Sequence, residues 1–193
     1  MFSDSSFQAG ANHLVLDKLR QGTLLYNVAE QGHDHVIPAI IRLNVDVNKA
    51  TCTGATPLYI ACCNGHNACA KALMDAQADP NIQNKDGRTA CFIAAQQGHA
   101  HVIAVLKELN ADVKIAELKE KEGSTPLHAA ALAGHTECMN KLVSAGADIF
   151  AVNAKGQTAL QIALESNNHD VAQLLQQLQQ LRERSARSAS GDV

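Results

Sequence analysis

The stretch Thr56-Pro57-Leu58-Tyr59-Ile60-Ala61-Cys62-Cys63-Asn64-Gly65-His66 decides the fold, because the chain repeats its layout. Thr125-Pro126-Leu127-His128-Ala129-Ala130-Ala131-Leu132-Ala133-Gly134-His135 places Thr, Pro, Leu, Gly and His at the same offsets. Gly-His pairs also occur at Gly32-His33 and Gly98-His99, so the four His residues stand 33, 33 and 36 residues apart. Ten residues before each stands a Thr (Thr23, Thr56, Thr89, Thr125), and Thr158 extends the series with Asn167-Asn168 in the Gly-His place. Five units are in register, and a fixed period of this length marks an array of stacked supersecondary units.

Each unit carries its own local instructions. In residues 84–114, Gly87 permits a tight turn and Thr89 can cap a helix by accepting an orphan backbone N–H. Pro57 and Pro126 follow the corresponding Thr in units two and four, at the first helical position, where no N–H partner is needed. A short helix runs through Ala94-Ala95, small enough for close neighbours, and Gly98 supplies the left-handed residue that ends it. Val102, Ile103, Val105, Leu106 and Leu109 then recur at helical spacing, and Ala111-Asp112 opens the connection to the next unit.

With Ala147-Asp148 and Asp79-Pro80-Asn81 added to these stretches, the chain resembles the ankyrin repeat family over roughly residues 21–178. The resemblance implies an all-α solenoid of stacked helix-turn-helix units joined by protruding hairpin fingers. It also implies that the Gly-His histidines fix the turn between helices through hydrogen bonds. The expected organisation is an N-terminal segment and capping helix in residues 1–20, a repeat domain in 21–181 (units 21–50, 51–83, 84–119, 120–152 and 153–181), and a disordered tail in 182–193.

Composition agrees with this architecture. The 193 residues are 46% hydrophobic but only 3% aromatic, without Trp, which calls for a core of small side chains on closely packed elements. Sixteen basic and nineteen acidic residues give a formal net charge of -3, so no broad field recruits nucleic acid or acidic lipid. No apolar run reaches the roughly 18 residues of a spanning helix, and the N-terminus lacks the basic and apolar regions of a secretory leader. The six Cys sit within apolar runs and read as reduced thiols, so the expected compartment is the cytoplasm. Cys62, Cys69 and Cys138 occupy apolar helix positions, whereas Cys52 and Cys63 are expected to be more exposed.

The ends and one interval depart from the pattern. Unit one lacks Pro after Thr23 and carries Pro38 a few residues into its second helix, which should kink or shorten it. Leu14, Leu16 and Leu19 suit a capping helix over Asn12 to Arg20. Val171, Leu174, Leu175, Leu178 and Leu181 form a stripe on a final helix expected to outrun the stack, before the tail that begins at Arg182. Three extra residues between Thr89 and Thr125 fall in Lys114 to Glu122, either a tolerated loop insertion or a longer finger that grips a partner. Ser185 and Ser190 each follow an Arg by three residues, a pattern a basophilic kinase can use.

Nothing in the chain argues for catalysis. Gly-x-Ser-x-Gly, P-loop, Gly-x-Gly-x-x-Gly and His-Glu-x-x-His patterns are missing. His33, His66, His99 and His135 should lie about 10 Å apart in a stack, too far for one metal, and His residues at i and i+2, as in His99-x-His101, point apart. The expected function is a protein-interaction module, an adaptor or inhibitor with no enzyme activity and no cofactor, acting as a monomer without membrane insertion or nucleic-acid binding. The alternative is a bacterial effector or small regulator whose activity depends on the long finger or the C-terminal tail.

Binding positions follow by subtracting the residues needed for packing. The fingers present Cys52, Thr53 and Ala55; Lys85, Asp86 and Arg88; Lys121, Glu122 and Ser124; and Ala154, Lys155 and Gln157. The inner helices add Cys63-Asn64, Gln96-Gln97, Leu132-Ala133 and Glu165-Ser166. Tyr59 and Phe92 stand where unit four has His128, either as aromatic binding surface or as core fillers. The site residues selected are Lys85, Asp86, Arg88, Gln96, Gln97, Lys121, Glu122, Leu132, Tyr59 and Phe92, on a scaffold able to present the roughly 800 Å² per partner of an ordinary interface.

Overall fold

A computed structural model describes residues 24–109, 111–114 and 122–190, with side chains through Arg184. Ten α-helices alternate among these residues: α1 (Leu24–Glu30), α2 (Ile37–Ile41), α3 (Pro57–Cys63), α4 (Asn67–Asp75), α5 (Ala90–Gln97), α6 (Ala100–Glu108), α7 (Pro126–Ala133), α8 (Thr136–Ser144), α9 (Ala159–Glu165) and α10 (His169–Ser190). Among the described residues the only β feature is an isolated bridge between Val152 and Thr158. Odd-numbered helices pack on one another as an inner layer, and even-numbered helices form an outer layer. The expected capping helix, Lys121 and most of the long finger lie outside the described residues.

The helices begin where the Thr residues stand. Thr56 Oγ1 accepts the Tyr59 N–H at 3.1 Å and Thr89 Oγ1 accepts the Phe92 N–H at 3.2 Å, each supplying an acceptor the helix start lacks. Pro38 breaks the second helix of unit one, which opens as a 3-10 turn over Asp34–Val36 before the five-residue α2. Ala61, Cys62, Ala94, Ala95, Ala130, Ala131 and Ala163 are all 0% exposed, because inner helices this close leave no room for larger side chains. Cys69, Cys91 and Cys138 are buried too, and burial pushes the Cys91 thiol up to about 12 and the Cys138 thiol up to about 11.

The units are joined through their Gly-His turns. His66 Nε2 lies 3.1 Å from the carbonyl oxygen of Glu30, and His99 Nε2 lies 3.0 Å from that of Cys63. Both carbonyls belong to the last residue of the preceding inner helix, where no helical partner remains, and they can only accept, so Nε2 carries the proton. The rings fit because the preceding unit has Gly beneath them. A Cβ on Gly32 would come within 2.8 Å of His66 Nδ1, and one on Gly65 within 2.6 Å of His99 Nδ1. His135 covers Gly98 in the same way, and Asn168 covers Gly134 while donating to the carbonyls of Ala131 (2.8 Å) and Leu132 (2.9 Å).

A second set of rungs runs along the outer connections. Asn48 Oδ1 accepts the Asp79 N–H and Asn81 Oδ1 accepts the Asp112 N–H, both at 2.9 Å. In the next unit the same position is Lys114, whose ammonium offers no acceptor, so the Asn rung is not repeated where the finger is three residues longer.

Unit four varies the cap. Thr125 donates its N–H to His128 Nδ1 at 3.1 Å, so the proton sits on Nε2, which donates to the Gln157 carbonyl of the next finger at 3.1 Å. Burial pulls the His128 pKa below 6.5, against the raising effect of its backbone hydrogen bonds. In unit five Gln161 reaches back the same way, accepting the Thr158 N–H at 2.8 Å.

The C-terminal end departs from expectation. The helix does not stop at Leu181 before a disordered tail but continues to Ser190. Arg, Glu and Ala are strong helix formers, and lengthening an existing helix avoids the cost of a new nucleus. Leu164, at the place where Cys62, Ala95 and Ala131 are buried, is 49% exposed.

Two outcomes test these junctions. Gly65→Ala should cost about 3 kcal/mol or more in urea denaturation, since it adds displacement of the His99 ring to left-handed strain, whereas Gly156→Ala, which meets nothing within 4 Å, should cost only the strain of about 1–2 kcal/mol. Because the folded pKa of His128 lies below 6.5, the unfolded chain takes up that proton first, and stability falls as pH drops through and below about 6.5. His128→Gln, which copies the cap that Gln161 provides in unit five, should cost about 1 kcal/mol at pH 7.5 and show a smaller loss in melting temperature between pH 7.5 and 5.5.

Candidate functional site

A groove of about 330 Å³ opens between the fingers and inner helices of units three to five. Its helix side carries Gln96, Leu132 and Glu165, each seven residues after its unit's cap Thr and therefore one above another on α5, α7 and α9. Its floor is apolar: Ala129 and Ile162 are 5% and 9% exposed, and Leu132 rises from it 59% exposed. Its finger side carries Arg88, Glu122, Lys155 and Gln157.

The polar wall is already organised. Asn153 Oδ1 accepts the N–H groups of Lys155 (2.9 Å) and Gln157 (3.0 Å), which closes the last finger turn. Gln157 then donates through Nε2 to Glu165 Oε2 at 2.7 Å, tying finger to inner helix, while its carbonyl takes the His128 proton. Ala154 donates its N–H to the Glu122 carbonyl at 2.8 Å, and Lys155 pairs with the Glu122 carboxylate at 3.2 Å. That exposed ion pair adds little energy, but the backbone bond beneath it sets the spacing of the two fingers.

Five of the residues selected from the sequence line this groove: Arg88, Phe92, Gln96, Glu122 and Leu132. Phe92 is not aromatic binding surface: it is 4% exposed, and the Arg88 guanidinium lies over its ring at 5.4 Å. Tyr59 stays half-buried in unit two, where Asn84 Nδ2 lies 3.4 Å from its hydroxyl, and burial raises its pKa to about 12, so it remains a neutral phenol. Gln97 is exposed but stands outside the groove lining. Lys85 and Asp86 serve the finger: Lys85 donates its N–H to the Thr53 carbonyl at 2.9 Å, and Asp86 donates its N–H to Asn84 Oδ1 at 2.9 Å. Subtraction missed Asn153 and Ile162. Asn84 and Asn153, each three residues before a turn Gly, are the repeated signal that marks the Asn153 role.

The titratable groups are held by their neighbours. Both nitrogens of His128 are engaged, Glu165 accepts from Gln157, and the half-buried Cys63, in unit two, has its thiol pushed up by burial. Among the described residues no group of three or more His, Cys, Asp or Glu is placed to hold a metal ion. Among them, too, no helix is long and apolar enough to cross a membrane.

Comparison with known proteins agrees with this geometry. A family model described as ankyrin repeats (3 copies) matches residues 6–84, 71–153 and 115–184. The NF-kappa-B inhibitor cactus of Drosophila melanogaster is 45% identical over 60 residues, 31% of this chain and 12% of that protein. Ankyrin repeat domain-containing protein 13B of Homo sapiens is 38% identical over 72 residues, 35% of this chain and 12% of that protein. The palmitoyltransferase ZDHHC13 of Mus musculus is 42% identical over 52 residues, 27% of this chain and 8% of that protein. The chain thus covers 8 to 12% of the length of these curated relatives. With matches running from residue 6 to residue 184, on units capped by Thr and interlocked through Gly and His, the chain belongs to the ankyrin repeat family.

Proposed function

We propose that this chain is a non-enzymatic protein-binding module, working as an adaptor or inhibitor, whose partner docks in the groove of units three to five. Ankyrin repeats are protein–protein interaction modules, and the groove has the make-up of a binding surface. The observation that carries the reading is Leu132, 59% exposed among the apolar lining residues Ala129 and Ile162, in a groove whose far wall is held by the Gln157–Glu165 hydrogen bond. A partner side chain covering Leu132 gains apolar contact without first ordering the wall, the condition under which a few anchors dominate affinity. Inhibition is written in the name of the cactus relative, which supports that role without identifying a partner here.

Affinity capture from a reduced lysate, quantified against the purified partner, tests the proposal. Leu132→Glu should weaken binding at least tenfold (about 1.4 kcal/mol) with helicity unchanged, and Glu137→Lys, on the outer helix α8, should leave it intact. Equal binding by both variants overturns the groove as the docking surface. Loss on deletion of residues 182–193 alone supports the tail-dependent alternative.

A further inference from the structure

We infer that the segment seated in the groove of units three to five is an extended stretch of the partner that presents an acidic residue to Arg88, an apolar residue to Leu132 and a basic residue to Glu165. The inference rests on the groove being the docking surface, and it concerns the chemistry that surface selects. Among the described residues, the charged side chains of the lining are Arg88, Glu122, Lys155 and Glu165, and they are unevenly placed. Arg88 is the charge of unit three. Lys155 pairs with Glu122 at 3.2 Å, which leaves the carboxylate of Glu165 as the net charge at the unit-five end. The groove is thus positive at one end and negative at the other, with Leu132 on α7 between them.

Each end has the geometry to take a counter-charge. The Arg88 guanidinium is steadied over the Phe92 ring at 5.4 Å. Its five N–H donors lie in one plane, so it can grip a carboxylate through two bonds and still serve a neighbour. Glu165 accepts from Gln157 through Oε2 at 2.7 Å, and a carboxylate offers about four acceptor sites, so Oε1 can take an ammonium or guanidinium as well. A segment with its charges the other way round sets like on like at both ends, and that repulsion fixes how the segment lies. Spacing sets its form. Leu132 and Glu165 stand seven residues after Thr125 and Thr158, one unit apart, and inner helices pack roughly 10 Å apart, a distance an extended chain covers in about three residues. Arg88 is rooted in the finger, but its guanidinium reaches Phe92 on α5, about one unit from Leu132 on the other side. A groove of about 330 Å³ takes side chains from an extended segment, whereas a helix some 10 Å across is too wide for it. Gln96, half-buried on α5, brings an amide donor and acceptor of the kind an extended backbone pairs with.

Random peptides of about 12 residues displayed on phage, selected on the 193-residue chain in reducing buffer and then synthesised, test this. The enriched peptides should carry an acidic and a basic residue on opposite sides of an apolar one, each about three residues away, and should bind Leu132→Glu at least tenfold more weakly. Exchanging the acidic residue of the peptide for Lys should weaken binding at least about fivefold in low salt, and Arg88→Glu, with helicity unchanged, should recover it. Exchanging the basic residue for Glu should do the same, with recovery by Glu165→Lys. Recovery of this kind reports a charge contact, since a merely structural loss would weaken every peptide alike. Peptides lost on Leu132→Glu but indifferent to both end charges, or a library that yields no binder, overturn the inference and leave the groove as docking surface. Peptides that bind Leu132→Glu as tightly as the native chain overturn both.

Discussion

Everything in this structure depends on side chains that reach from one unit into the turn of the unit before it. An inner helix of seven or eight residues leaves several carbonyls unpaired at its end, and it is too short to hold itself together in water. His66, His99 and Asn168 supply donors to those carbonyls from the following unit, so each helix end is completed by its neighbour. The Gly residues beneath them do two jobs at once. Their positive φ turns the chain from inner to outer helix, and their missing Cβ is the space the ring or amide occupies. Stability is therefore shared between neighbours, as expected of an array in which no unit can bury its apolar face alone.

That dependence explains why the fold is legible in the sequence and the site less so. The cap Thr stands in all five units and the Gly-His turn in four, at one period, so the chain states these local rules redundantly, and Pro38 marks the disruption of unit one by the rule for a proline inside a helix. The groove is not periodic. Its centre lies where unit four puts Leu at Leu132, and its wall depends on Asn153 holding a finger turn and on Gln157 bridging His128 to Glu165. Subtracting packing residues finds Arg88, Gln96, Glu122 and Leu132 but does not tell which finger residues point across the groove. It leaves Phe92 open between surface and core, and the structure places it in the core beneath Arg88. At the C-terminus, loss of apolar periodicity after Leu181 suggests disorder, yet periodicity reports a buried face and not helicity itself, and α10 continues without one.

The same logic links packing to function. Hydrogen bonds from Asn153 and from Gln157 to Glu165 fix the last finger against its inner helix and leave apolar Leu132 exposed beside them, the feature on which the proposed docking rests. His128, a residue type often found in catalysis, is here a strut: neutral, buried, and bonded at both nitrogens. The His135-on-Gly98 and Asn168-on-Gly134 junctions keep α5, α7 and α9 in line, so the positions seven residues after each Thr stay stacked as one surface. Binding by such a surface is limited by complementarity more than by the cost of ordering it.

Hydrogen exchange in a Gly134→Ala variant tests most directly whether the junctions build the groove. The added Cβ would come within 2.9 Å of Asn168 Oδ1 and push that side chain off the Ala131 and Leu132 carbonyls. The expected result is that α7 and α9 lose protection together, on both sides of the altered turn, while α1 and α3 keep theirs. Faster exchange confined to the Gly134-His135 turn, with α7 and α9 as protected as before, would contradict it.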